Sequence, residues 1–230
     1  MLCLFSKTLA VNSLFFLGHM SWAVVFASVA NLKGKNKLFI PVVLLLGVLP
    51  DVDLFLGRYG VVHHSLFHSI FFWIALFIPA MIIFGWRLVV PYFFALLSHF
   101  AFGDFLVGDV MLFWPFDFSY FGFNSTMFSV FDVGLEFAGL LLAFGVLYYR
   151  FDLNRLVSVN FSNVLMGFPL LALVSSMVYF AVDWPIIPLV NYVGSSPILT
   201  AIVVGHLVLV GFLLVSTFQG LRKLKFWIFH

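Results

Sequence analysis

The chain has 230 residues, a formal net charge of +2, and is 64% hydrophobic but only 9% charged. A soluble globular domain carries about a quarter charged residues, so this chain lacks the polar atoms to cover a globule in water. The small net charge and the lack of a basic stripe argue against a nucleic-acid partner. The lone Cys3 excludes an internal disulfide and a cysteine-rich metal site.

Apolar runs recur that are long enough for a hydrocarbon layer of about 30 Å, which takes about 20 helical residues. Strict polar–apolar alternation is missing, which argues against a transmembrane barrel. The expected fold is therefore all-α: one polytopic domain of seven helices at about 9–30, 38–57, 66–86, 88–113, 127–149, 164–183 and 198–219. The first run has only Lys7 as a positive side chain and continues through His19 to Ala30 without a small-residue cleavage site, so it reads as an uncleaved span. Seven spans put Lys33, Lys35, Lys37, Arg87, Arg150, Arg155, Arg222, Lys223 and Lys225 on one side, against Lys7 and Arg58 on the other. That bias predicts an outside N-terminus and a cytoplasmic C-terminus in a cell (plasma or inner) membrane, with membrane lipids as neighbours. Trp86 and Trp227 then mark the inner interface and Trp114 and Trp184 the outer one, while Trp22 and Trp73 read as packing residues.

Ionisable side chains inside a membrane are costly, and here they gather at one level. Span 1 carries His19, and span 2 ends in Pro50-Asp51-Val52-Asp53. His63, His64 and His68 follow in the next loop and the start of span 3. Span 4 carries His99, Asp104 and Asp109, span 5 carries Asp132 and Glu136, and span 7 carries His206. All fall in the outer half or near the midplane. Imidazoles and carboxylates without thiolates suit Zn²⁺ or Mn²⁺, and a cation removes the cost of burying the carboxylates. His64 and His68, and Asp132 and Glu136, are four apart and share a helix face. Pro50 frees Asp51 and Asp53 from ideal helical directions so that both turn inward. The excess of ligands over one tetrahedral shell points to one or two ions. Blander readings stand beside these. His206 suits a helix–helix hydrogen bond, Asp109 and Asp53 suit helix caps or water contact, and Asp132 with Glu136 suits a proton path.

The stretches GHMSWAVVFA, LLLGVLPDVD, HHSLFHS and SHFAFGDFLVGDVMLFWPF, together about residues 18–116, resemble the YdjM-type membrane-bound metal-dependent hydrolases. That family's pattern has an early His, a GxxxPDxD-like element, an HRGxTHS-like element, and a His–Asp segment running into a WPF-like end. The resemblance implies metal-site roles for His19, Asp51, Asp53, His63, His68, His99 and Asp104. His64 stands where the family usually has Arg, and Phe67 where it has Thr. His99 and Asp104 are five residues apart where four is expected. Spans 5–7 match no family pattern.

The leading functional expectation is a metal-dependent hydrolase at the outer leaflet, acting on a lipid or lipid-linked phosphoester, amide or ester. The ion would activate water. Asp53 or Glu136 would serve as general base, and His64 or Arg58 would stabilise an anionic transition state. The alternatives are a receptor or scaffold with a structural metal, and a metal or proton transporter. A transporter calls for polar groups through the cytoplasmic half, and the sequence places none there.

Overall fold

The computed structural model describes residues 15–31, 37–56, 59–123, 125, 129–151, 153–182 and 197–229. Those residues form an all-helical protein without a β-strand; one isolated bridge joins Val110 and Phe121. In chain order the helices are α1 (Phe16–Ala30), α2 (Ile40–Leu46), α3 (Val52–Leu56), α4 (Ile70–Phe84), α5 (Trp86–Ser98), α6 (Phe105–Val107), α7 (Val130–Arg150), α8 (Leu153–Leu156), α9 (Gly167–Val182) and α10 (Pro197–Phe229). A 3-10 turn, Leu66–His68, precedes α4, a π-helical segment, His99–Asp104, joins α5 to α6, and a 3-10 segment, Phe161–Met166, leads into α9.

Helix α1 is the centre of the bundle and packs against α2, α5 and α7. Apolar and small residues occupy most of its circumference, as they must in a helix enclosed on several sides. Leu17, Met20, Ala23 and Ala27 are fully buried, and they join Val43 of α2, Ala95 of α5 and Leu213 of α10 in the main core. Trp22 fixes α1 to α7 by donating from its indole nitrogen to the Leu135 carbonyl at 3.2 Å. Trp73 likewise pins α4, donating to the Phe67 carbonyl at 2.6 Å. Both tryptophans are buried.

Three helical stretches are long and apolar enough to cross a membrane: Trp86–Val107, Val130–Arg150 and Thr200–Leu224. Phe16–Ala30, Ile70–Phe84 and Phe161–Ser176 are shorter apolar helices. The outer faces are apolar too. In α4 only Trp73 is buried, while Leu76, Ile78, Ile82, Ile83 and Phe84 face outward. Such a surface suits a membrane-associated chain.

The expected second span, 38–57, is not one helix. It breaks after Leu46 and resumes at Val52, so Gly47–Asp51 forms a turn. Pro50 lacks the N–H a continuing helix needs and pushes the residue before it toward extended backbone. Helices α4 and α5, at the expected third and fourth spans, meet at a single residue, Gly85, whose φ of 84° is open to glycine at little steric cost. The fourth helical stretch stops at Val107 rather than near 113. Beyond it the chain folds back: Phe123 N–H donates to Phe105 O at 2.8 Å, and Val110 and Phe121 exchange backbone hydrogen bonds at 3.0 Å each. Arg58, Lys7, Lys33, Lys35 and Trp184 lie outside the described residues.

Candidate metal centre

Five separate stretches deliver side chains to one buried place. His19 comes from α1, one turn into the helix, where every residue from Phe16 to Val24 is buried. Asp51 comes from the Pro50 break and Asp53 from the first turn of α3. His63 and His64 come from the following loop, where His64 holds a φ of 63°. A non-glycine residue there costs on the order of 1–3 kcal/mol, which the surrounding fold must offset. The backbone supports it: Met111 N–H donates to His64 O at 2.9 Å, Ile70 N–H to Leu112 O at 3.0 Å, and Ser69 Oγ to Trp114 O at 2.5 Å. His68 sits in the 3-10 turn, and His99 and Asp104 bound the π segment.

The π segment accounts for the five-residue spacing. In an α-helix, residues five apart diverge; where hydrogen bonds run from i to i+5, they stack. His99 Nε2 and Asp104 Oδ2 are accordingly 3.0 Å apart. The inner set is completed by His68 Nε2, 3.0 Å from Asp104 Oδ2 and 3.2 Å from His99 Nε2. Asp51 Oδ1 lies 3.6 Å from His68 Nε2 and 3.5 Å from His99 Nε2. All four side chains are essentially inaccessible, with Asp51 the most open at 5%.

The hydrogen bonds behind these atoms fix what they present. His99 Nδ1 lies 2.8 Å from the Gly47 carbonyl, which only accepts, so Nδ1 carries the hydrogen and the neutral ring turns its Nε2 lone pair inward. His68 Nδ1 lies 3.0 Å from Asp53 Oδ2 and likewise donates, freeing its Nε2. Two imidazole lone pairs and two carboxylate oxygens thus converge at 3.0–3.6 Å, an arrangement that repels itself without a positive centre. Donors held about 2.0–2.2 Å from one ion sit roughly 3–3.6 Å from each other along an octahedral or tetrahedral edge. The buried Asp51, His68, His99 and Asp104 group can hold a metal ion, and its donor chemistry and spacing fit one. Both oxygens of Asp104 and Oδ1 of Asp51 have no hydrogen-bond partner among the described residues, although buried. Such atoms are costly unless a cation meets them.

His19 stands behind this set. Its ring stacks on that of His99, centroids 4.0 Å apart, and its Nε2 lies 3.7 Å from Asp104 Oδ1 and 3.9 Å from Asp51 Oδ2. Neither nitrogen of His19 has a hydrogen-bond partner among the described residues. Asp51 and Asp104 therefore turn one oxygen to the His68–His99 pair and the other to His19.

Asp53 has a different place. Its Oδ1 lies 2.6 Å from His63 Nδ1 and its Oδ2 3.0 Å from His68 Nδ1, so both oxygens are taken by ring N–H groups. It also lies with Asp51, His63 and His68 in a second set of potential ligands. His63, His64 and His68 form a third, with the His63 and His64 rings 3.9 Å apart and the His64 and His68 rings 4.8 Å apart. His64 and His68 approach through the loop and 3-10 turn, not through a shared α-helical face. The Nε2 atoms of His63 and His64 are buried without a partner among the described residues.

The remaining candidates lie elsewhere. Glu136 is fully buried against the start of α1, where its Oε1 accepts from Phe15 N–H at 2.5 Å and its carboxylate also meets the Gly18 N–H. It caps α1 from another helix, satisfying N–H groups that a helix start leaves open. Asp132 sits in the first turn of α7, where its N–H donates to the Ser129 hydroxyl. His206 donates from Nδ1 to Ile202 O at 2.9 Å within its own helix and meets the Phe15 ring edge-on. Asp109 lies in the loop beside Tyr120. None of these four belongs to the ligand sets, and Arg58 is outside the described residues.

Sequence reasoning missed three glycines. A Cβ at Gly103 would overlap the His19 ring, one at Gly18 would come within 2.8 Å of the Glu136 carboxylate, and Gly47 supplies the carbonyl that orients His99. The available signal was glycine inside helical patterns, which costs about 1 kcal/mol against alanine and so asks for a packing reason. Comparison with protein-family models, curated proteins and solved structures finds no match.

Proposed function

We propose that the chain is a membrane-embedded metal-dependent hydrolase that cleaves a lipid or lipid-linked phosphoester, amide or ester at the outer leaflet. The observation that carries this reading is the inward convergence of the His68 and His99 lone pairs with Asp51 and Asp104 oxygens. Zn²⁺ fits that donor set best and Mn²⁺ also fits, with His19 and the second oxygens of Asp51 and Asp104 offering donors of the same chemistry for a second ion. The resemblance of residues 18–116 to YdjM-type proteins supports the same class. On the reading of seven spans with an outside N-terminus, the site lies in the outer half, at the depth of lipid ester and phosphate groups.

A bound ion supplies Lewis acidity and lowers the pKa of water. The chain's own groups do the rest. Asp53 holds His63 through Nδ1 at 2.6 Å, so His63 Nε2 is the atom positioned to take a proton. His63 is also the most open of these ion-paired side chains, at 17% exposure. On this reading the base is His63 rather than Asp53 or Glu136, with Asp53 orienting it. His64, its ring against that of His63 and its Nε2 buried without a partner among the described residues, is on this reading the group that stabilises an anionic transition state.

One observation favours a second reading, a scaffold with a structural metal: the inner donors are almost completely closed, as in structural sites. Elemental analysis of purified wild type, His99→Ala and His63→Ala, with assays on phospholipid, ester and amide panels, separates the two. The hydrolase reading expects one or two equivalents of metal and turnover in wild type, neither in His99→Ala, and metal without turnover in His63→Ala. Stoichiometric metal with no turnover on any panel would replace it with the scaffold.

A further inference from the structure

The other end of α1 carries a polar assembly that the hydrolase reading does not use. Arg150, the last residue of α7, donates from Nη1 to the Ser28 carbonyl at 2.7 Å. Ser28 lies nine residues beyond His19, about 13 Å along the helix axis. Beside it opens a cavity of about 410 Å³ between the segment entering α2, the end of α7, α8 and the 3-10 segment before α9. Its volume is in the range of small-ligand sites, about 300–1,000 Å³.

Lys37, Arg150 and Arg155 line it from three stretches of chain, with the polar Ser162 and Asn163 between them. Among the described residues that line the cavity none is acidic; Asp152, in the same connection as Arg155, lies outside the described residues. The rest of the wall is apolar, including Phe151.

The backbones that carry the cations are pinned. Asn163 is buried, and its amide donates to the carbonyls of Arg155, Leu156 and Ser158 at 3.1, 2.9 and 3.0 Å. Ser216 of α10 also donates to Leu156 O. Phe39 N–H, two residues after Lys37, donates to the Tyr92 hydroxyl at 3.0 Å. These bonds fix the backbones on which Lys37 and Arg155 stand, and a guanidinium group matches phosphate oxygens in bidentate geometry.

We propose that this cavity binds the phosphate group of an anionic amphiphile, with Lys37, Arg150 and Arg155 on the phosphate and the apolar wall against its hydrocarbon. Basic pockets between helices near a membrane face are suited to phospholipid headgroups, and a soluble phosphate ester would present the same charged group. The site is distinct from the metal centre and does not depend on hydrolysis.

The test uses the full chain in a neutral detergent, with native mass spectrometry and thermal shift. The probes are phosphatidic acid, phosphatidylglycerol, phosphatidylcholine and inorganic phosphate. Arg150 also holds α1, so the diagnostic variant is Lys37→Gln with Arg155→Gln, and exposed Arg87→Gln is the control. Retention of anionic lipid over phosphatidylcholine is expected, falling about tenfold or more in the double variant and unchanged in Arg87→Gln. Stabilisation by inorganic phosphate without lipid, lost in the double variant, would assign the site to soluble phosphate esters. Equal retention of anionic and zwitterionic lipid with no phosphate effect overturns the proposal. So does an equal loss in Arg87→Gln, which would make the attraction a diffuse surface charge.

Discussion

At one end α1 carries His19 into a sealed set of imidazoles and carboxylates, whereas nine residues later its Ser28 carbonyl meets Arg150 beside an open cavity lined by cations. The charges at the first end are fully buried and have converging lone pairs. Those at the second are exposed side chains on pinned backbones. Water solvates the second end, so its folding needs no ligand. It cannot reach the first, so the cost of burying those carboxylates must be met inside the protein. Two sites on one helix therefore differ in how strongly a ligand is tied to stability.

The largest effect is expected from His99→Ala. It removes one lone pair and the brace on Gly47, and leaves Asp51 and Asp104 facing each other. Loss of bound metal by elemental analysis, with destabilisation of about 3–5 kcal/mol by chemical unfolding, is the expected result. Metal content equal to wild type would place the ion elsewhere. Next comes Asp53→Asn, which keeps every inner donor but loses the charge that orients His63 and His68. Metal affinity should fall about 10–100-fold in a competitive chelator titration. A complete loss of metal would instead make Asp53 a ligand.

Gly103→Ala tests the sealing of the same end, because its methyl group meets the His19 ring. Overpacking should cost about 1–3 kcal/mol and weaken metal binding, read by thermal unfolding with and without chelator. An unchanged melting temperature would show that His19 can move aside. The smallest effect belongs to Glu136→Gln, which keeps one acceptor for Phe15 N–H but sets an amide against the Gly18 N–H that the carboxyl group also meets. About 0.5–1.5 kcal/mol of stability should be lost with metal content intact, and a metal-free variant would return Glu136 to the site. Across this series, chelation should lower the melting temperature of wild type far more than the loss of Lys37 and Arg155 does.

Much of the first end was legible in the chain. The residue types named the chemistry, and Pro50 announced that Asp51 would leave helical directions, whereas Asp53 stands in the first turn of α3. Asp51, His68, His99 and Asp104 converge as that pattern suggested. Other parts were not legible. Spacing four placed Asp132 and Glu136 on one face, yet nothing in it says that Glu136 reaches the start of α1. Counting apolar residues also extended helices through stretches that form turns, at Gly47–Asp51 and beyond Val107. Hydropathy reports solubility in lipid, not the backbone conformation within it.

Residue types alone specify an apolar, helical, membrane-associated chain and a stock of hard and borderline metal donors without thiolates, because transfer energies and ligand chemistry belong to each side chain. Which donors share a centre depends on how the chain folds. A π segment brings His99 and Asp104 into register, a glycine opens space for His19, and the Asp53 carboxylate turns two imidazoles. Those outcomes depend on backbone path and on contacts between distant segments, where a single residue's shift in helical register changes which atoms meet.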